Sequence, residues 1–128
     1  MILVGDVGGT NTTIASVANQ NGRFDVERLK RYSSSALGGV EEALEDFLGG
    51  AEGVGHSLCC LSAAGPVRSN VCSMTNVKWS IDGDAVTRKT GITTFVINDF
   101  SAICYALPLI DSHPQIETVV IPHTDGSL

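Results

Sequence analysis

Ile2 to Gly5 is a short apolar run that stops at Asp6-Val7-Gly8-Gly9-Thr10, and Thr12 to Ala18 resumes with β-branched residues in partial alternation. That pattern predicts strand, glycine turn, strand. Asn19-Gln20-Asn21-Gly22 carries the Asn-Gly pair of a tight hairpin, where both central residues take positive φ at low cost, and Phe24 to Tyr32 returns as a third strand. After a polar loop at Ser33 to Ser35, Val40, Ala43, Leu44, Phe47 and Leu48 recur at helical spacing with Glu41, Glu42, Glu45 and Asp46 between them. This predicts an amphipathic helix with acids near its positive end and a left-handed stop at Gly49-Gly50.

Ser57 to Ala64 is a continuous small and apolar run between Gly55 and Gly65-Pro66, the pattern of a strand buried on both faces. Val71 to Met74 reads as another short strand, and Ser80 as the cap of a weak helix through Lys89 that closes at Gly91. Thr93 to Ile97 is β-branched and aromatic, ends at Asn98-Asp99, and leads into a helix with Phe100, Ile103, Ala106 and Leu107 on one face. Thr118 to Ile121 is a last strand candidate. The order predicts an α/β domain over residues 1–128, with a mixed sheet that starts as antiparallel glycine-turn hairpin strands and continues as parallel strands with helices.

Composition narrows the classes of function. In 128 residues, 43% hydrophobic and 17% charged content excludes general disorder. A net charge of −6 without a basic stripe disfavours nucleic acid and anionic membrane surfaces as partners. The uncharged apolar stretch Ser101 to Ile110 is too short to span a membrane. The start at Met1-Ile2-Leu3-Val4-Gly5-Asp6 lacks the basic segment of a signal peptide, so a cytoplasmic address is expected. Cys59, Cys60, Cys72 and Cys104 show no CxxC spacing and sit in apolar runs, as buried thiols do. His56, His113 and His123 read as loop residues.

Three segments carry candidate chemistry, each with a plainer reading beside it. Gly5 to Asn11 lacks the spacing and lysine of a P-loop. A glycine-rich hairpin still lets backbone N–H groups approach phosphate, with Thr10 and Thr12 as added donors, and Asp6 makes sense there beside a divalent cation. The same letters also make an ordinary tight turn. Asp99 follows a strand at the edge where α/β sheets bind ligands, yet Asp at such a junction is also a helix cap. Met74-Thr75-Asn76 with Trp79 suits sugar hydroxyls, or a turn beside a core tryptophan.

Taken together, Leu3 to Asn11, Ala64-Gly65-Pro66-Val67, Met74-Thr75-Asn76 with Trp79, and Ile97-Asn98-Asp99-Phe100 resemble the bacterial glucokinase family. That family lies within the superfamily of sugar kinases, actin and the heat-shock ATPases. The resemblance implies a ribonuclease H-like, actin-like ATPase lobe and transfer of a phosphoryl group from ATP to the 6-hydroxyl of D-glucose. It makes Gly5, Asp6, Val7, Gly8, Gly9, Thr10 and Asn11 the first phosphate loop, with Asp6 near Mg²⁺ through water. Thr75, Asn76, Asn98 and Asp99 become sugar-binding residues, and Asp99 the base. Thr13 departs from relatives that carry arginine there. Because the family has two lobes, the resemblance implies an N-terminal lobe alone. Pairing with a C-terminal lobe or a second copy is expected. A kinase for another hexose, and a non-catalytic sugar-binding fragment, are the competing readings.

Overall fold

A computed structural model describes residues 1–50, 55–74 and 77–110. The predicted strand at Thr118 to Ile121, His113, His123, Thr75 and Asn76 lie outside the described residues. In chain order the elements are β1 (Ile2–Val7), β2 (Asn11–Gln20), β3 (Arg23–Ser33), a 3-10 turn (Ser34–Ala36), α1 (Val40–Leu48), β4 (Leu58–Ala63), β5 (Val67–Arg68), β6 (Val71–Ser73), β7 (Ser80–Asp82), α2 (Gly83–Thr90), β8 (Thr94–Asn98) and α3 (Asp99–Ile110). The main sheet has the order β3-β2-β1-β4-β8, and β5-β6-β7 form a second, antiparallel sheet. β1 pairs antiparallel with β2 and parallel with β4, which pairs parallel with β8. The mixed sheet expected from the order of patterns is therefore present.

Asn21 and Gly22 turn the β2–β3 hairpin with φ of 55° and 82°, the pair of left-handed residues that matches the twist of the flanking strands. One residue, Glu27, bulges from β3, because Val26 pairs with Val17 while Arg28 pairs with Ser16. α1 buries Val40, Ala43, Leu44 and Phe47, and Gly49 closes it in the left-handed region with φ 64°. These side chains meet Leu3, Val7 and Ile14 of the hairpin, Cys59 and Leu61 of β4, Val86 of α2 and Val96 of β8 in one core. Each large aliphatic side chain removed from water there contributes ~1.5–3 kcal/mol.

The structure corrects several expectations. β4 is buried on one face only, with Cys59, Leu61 and Ala63 inside and Leu58, Cys60 and Ser62 partly exposed. Its second face belongs to an apolar cross-strand row, Leu29–Ala15–Val4–Cys60–Phe95, that crosses all five strands and is exposed at Leu29 and Phe95. Ser80 does not cap α2. It belongs to β7, and the Asp82 carboxylate accepts from the Asp84 and Ala85 amides at 3.0 and 3.1 Å, because the strand continues until a side chain reaches the first-turn N–H groups. The apolar face of α3 is open, with Phe100, Ile103 and Leu107 all more than half exposed, and Cys104 is exposed rather than buried. Among the described residues no helix is long and apolar enough to cross a membrane.

Candidate active site

The register brings the sequence-predicted segments to one edge. Val7 at the end of β1 pairs with Ala63 at the end of β4, which pairs with Asn98 at the end of β8. The glycine loop, the Ala64-Gly65-Pro66 turn and Asn98-Asp99 thus leave three adjacent parallel strands at the same carboxyl end. That end is where strand carbonyls stop and connecting loops leave room for a ligand.

The loop proper is Gly8 to Asn11, since Val7 still pairs with Thr12 across the hairpin. Gly8 N–H donates to Asn11 O at 2.9 Å, and a Cβ on Gly8 would come within 3.1 Å of that oxygen. Close approach therefore favours glycine at position 8, since any Cβ would press on that carbonyl. Gly5 lies inside β1, where a Cβ would meet Leu61 and Ile14 side chains at 2.6 and 3.0 Å. Its hydrogen serves core packing. Val7 is 1% exposed and points into the core, so only its backbone faces the loop, where Val7 O accepts from Ala64 N–H at 3.3 Å.

Thr12 does not offer its hydroxyl outward. It is fully buried and hydrogen-bonds Ser34 Oγ at 2.9 Å, because alternation along β2 turns position 12 toward the core. Ser34 in turn donates from Oγ to Gly8 O at 2.7 Å and from its amide to Thr10 O at 2.9 Å. Ser34 is the residue that sequence reasoning missed, having been read as part of a polar loop. The hairpin register that sets Asn11 opposite Ser33 is the signal that places it under the glycine turn.

Asp6 is exposed on the other face of β1 and accepts from Ser62 Oγ at 3.0 Å. It heads a cross-strand row through Thr13 to Arg31, so a guanidinium stands one strand beyond the threonine. An exposed carboxylate beside a loop of glycines and backbone donors is a donor set that fits a hard divalent cation carrying phosphate.

At the end of β8, Asn98 Nδ2 donates to Gly65 O at 2.6 Å, and Asn98 Oδ1 accepts from Phe100 N–H at 3.0 Å. Asn98 therefore takes the capping position before α3. Asp99 is exposed, with Oδ1 2.8 Å from the Phe100 amide nitrogen. Its carboxylate lies close enough to push up the Cys72 thiol, which burial raises first. The Phe100 N–H is thus shared between the Asn98 and Asp99 side chains, and the Asp99 carboxylate, which accepts it through Oδ1, remains exposed at the strand edge. Trp79 packs partly buried against the core.

The glucokinase family profile matches residues 3–125. Over 116 residues the chain is 30% identical to a glucokinase of Photorhabdus laumondii, covering 90% of this chain and 35% of that protein. Over 109 residues it is 35% identical to a glucokinase of Chromobacterium violaceum, covering 83% of this chain and 30% of the relative. A solved glucokinase from an Antarctic psychrotroph superposes with a TM-score of 0.73 at 30% identity, over 84% of this chain and 34% of that one. The chain spans about a third of the length of the curated relatives it matches. With the profile running over residues 3–125 and a solved glucokinase superposing on most of the chain, this chain belongs to the glucokinase family.

Proposed function

We propose that the chain supplies the sugar-binding and first phosphate-loop lobe of a cytoplasmic kinase that transfers a phosphoryl group from ATP to the 6-hydroxyl of D-glucose. The observation that carries this reading is the Val7–Ala63–Asn98 register. It sets the glycine loop and Asp99 on one strand edge, where a phosphate donor and a hydroxyl acceptor have to meet. Phosphoryl transfer asks a protein for in-line positioning and charge neutralisation more than for covalent chemistry.

In this reading the backbone of Gly8, Gly9, Thr10 and Asn11 lies along the phosphates, and the Asp6 carboxylate, oriented by Ser62, lies toward Mg²⁺ through water. The metal, when bound, offsets phosphate charge. Asn98, pinned by Gly65 and the first turn of α3, presents its strand end to the sugar. Asp99 accepts the proton of the 6-hydroxyl. Thr75 and Asn76 complete the sugar contacts. The open apolar face of α3 is the surface that the remaining two thirds of such a protein, or a second copy, covers.

The test is glucose-dependent formation of ADP from MgATP by the purified chain, alone and supplemented with the C-terminal two thirds of a family glucokinase, with Asp99→Ala as matched control. Turnover that requires Asp99 is the expected result. A supplemented chain that turns over equally with Asp99→Ala overturns the assignment of the base. Sugar binding unchanged by Asp99→Ala, without turnover, favours a non-catalytic fragment, and faster turnover of mannose or fructose favours another hexose.

A further inference from the structure

Among the described residues β8 is the outer strand of the main sheet, and three of its outward backbone groups are met by side chains. Thr93 O accepts from Cys59 N–H on the inner side, so the Thr94 and Val96 groups of alternate parity face outward. Thr94 N–H donates to Thr87 Oγ1 at 2.9 Å. Thr94 O accepts from Asn70 Nδ2 at 2.8 Å, and Val96 N–H donates to Asn70 Oδ1 at 2.7 Å. One primary amide thus makes the pair of bonds that a neighbouring strand would make.

Two features hold Asn70 in that pose. Its backbone is left-handed, φ 62°, at the turn between β5 and β6, and its carbonyl accepts from Gly83 N–H at 2.9 Å. A Cβ on Gly83 would stand 2.6 Å from Asn70 Cγ, so the amide occupies the space that glycine leaves at the start of α2. The Asn70 Nδ2 also reaches Asp84 Oδ1 at 3.3 Å.

The segment from Gly65 to Asn70 therefore lies along the outer edge of β8, clamped at both ends. Asn70 grips Thr94 and Val96, and Gly65 O takes the Asn98 side chain at 2.6 Å. We infer that Asn70 is a positioning residue for Asn98 and Asp99: its amide fixes the edge of β8 and so the spacing at which Gly65 holds the strand end. For catalysis this rests on the kinase reading, whereas the mechanical coupling does not. Two neutral hydrogen bonds to a partly buried edge are enough to shift a local opening equilibrium by roughly tenfold or more.

The experiment compares the full chain with Asn70→Gly, which keeps the left-handed turn and deletes the amide, and with Gly83→Ala, which evicts the amide while leaving residue 70 intact. Asn70→Asp keeps the acceptor for Val96 N–H and loses the donor to Thr94 O. Amide exchange and the side-chain NH₂ signals of Asn98 are followed by NMR, with Leu61 as an internal reference. In Asn70→Gly and Gly83→Ala, Val96 exchange rises roughly tenfold, the Asn98 NH₂ signals shift, and Leu61 is unchanged. Asn70→Asp does not restore the Val96 protection, because its second oxygen would face the Thr94 carbonyl and the Asp84 carboxylate with no hydrogen to give.

Unmoved Asn98 signals in both variants, with Val96 deprotected, make Asn70 an edge cap only and overturn the proposal. D-glucose is then titrated into the same samples, where roughly tenfold weaker binding by Asn70→Gly is expected. Absence of any glucose response at Asn98 or Asp99 in the unmodified chain counts against the kinase reading, and the exchange data still decide the role of Asn70. Should Asn70→Gly fail to fold, Gly83→Ala carries the test, because it keeps residue 70 and its turn and displaces only the far end of one side chain.

Discussion

Ser34 Oγ donates to Gly8 O at 2.7 Å, tying the end of the third strand to the loop that follows the first. The same oxygen meets the buried Thr12 hydroxyl, so one small side chain fixes both the hairpin and the glycine turn. Ser34→Ala leaves the Thr12 hydroxyl and Gly8 carbonyl short of a partner. It is expected to cost about 1–3 kcal/mol in urea unfolding, with the denaturant slope unchanged. An unaltered midpoint rejects this role for Ser34.

Gly65 is confined by its neighbours. A Cβ there would stand 2.6 Å from Ser73 O and 3.1 Å from Cys72 Sγ, and backbone on one side cannot yield as a flexible side chain does. Gly65→Ala should displace the turn, weaken the bond from Asn98 and destabilise the fold by about 1–3 kcal/mol. Thermal unfolding checks the stability, and the Asn98 NH₂ signals check the site. Wild-type behaviour in both would show that the turn adapts freely.

Asp46 accepts from Lys30 Nζ and from Tyr32 OH, each at 2.6 Å. The bond from Lys30, followed by that from Tyr32, holds its carboxyl below the ordinary 3.8. A lowered folded-state value means that the contribution is complete above the unfolded pKa and is lost as pH falls through the folded one. The gap in urea midpoint between wild type and Asp46→Asn should be full near neutral pH and close below about pH 4. Parallel pH profiles for the two proteins would contradict the assignment.

The thiols should react in an order set by burial. Burial pushes Cys59 up to about 12 and also raises Cys60 and Cys72, whereas Cys104 is exposed on α3. Thiolates are the reactive form, so iodoacetamide should label Cys104 first, Cys60 slowly, and Cys59 and Cys72 only on unfolding. Peptide mass mapping over time reads the order. Early labelling of Cys59 would mean that the core between β4 and α1 opens readily.

Local patterns were legible where one residue's neighbours along the chain carry the signal. The Asn21-Gly22 hairpin, α1 with its Gly49 stop, and the strand ending at Asn98 all follow from spacing, because period and turn chemistry are local properties. The candidate site was pointed to by four short motifs and their resemblance to a family. Ser62 under Asp6, Ser34 under Gly8 and Gly65 against Asn98 were not. Each pair is separated by at least 26 residues, and no local pattern encodes which strand lies beside which.

By itself the sequence determined where the chain turns, which helix face of α1 is apolar, and which polar groups the candidate site has to offer. Tertiary structure alone decided that Thr12 faces inward while Asp6 faces outward, that Asp82 rather than Ser80 caps α2, and that Asn98 bridges Gly65 to the first turn of α3. The physical reason is register. A side chain's face in a sheet alternates with every residue, and which strand ends share an edge depends on pairings between distant segments, fixed only when the whole core packs.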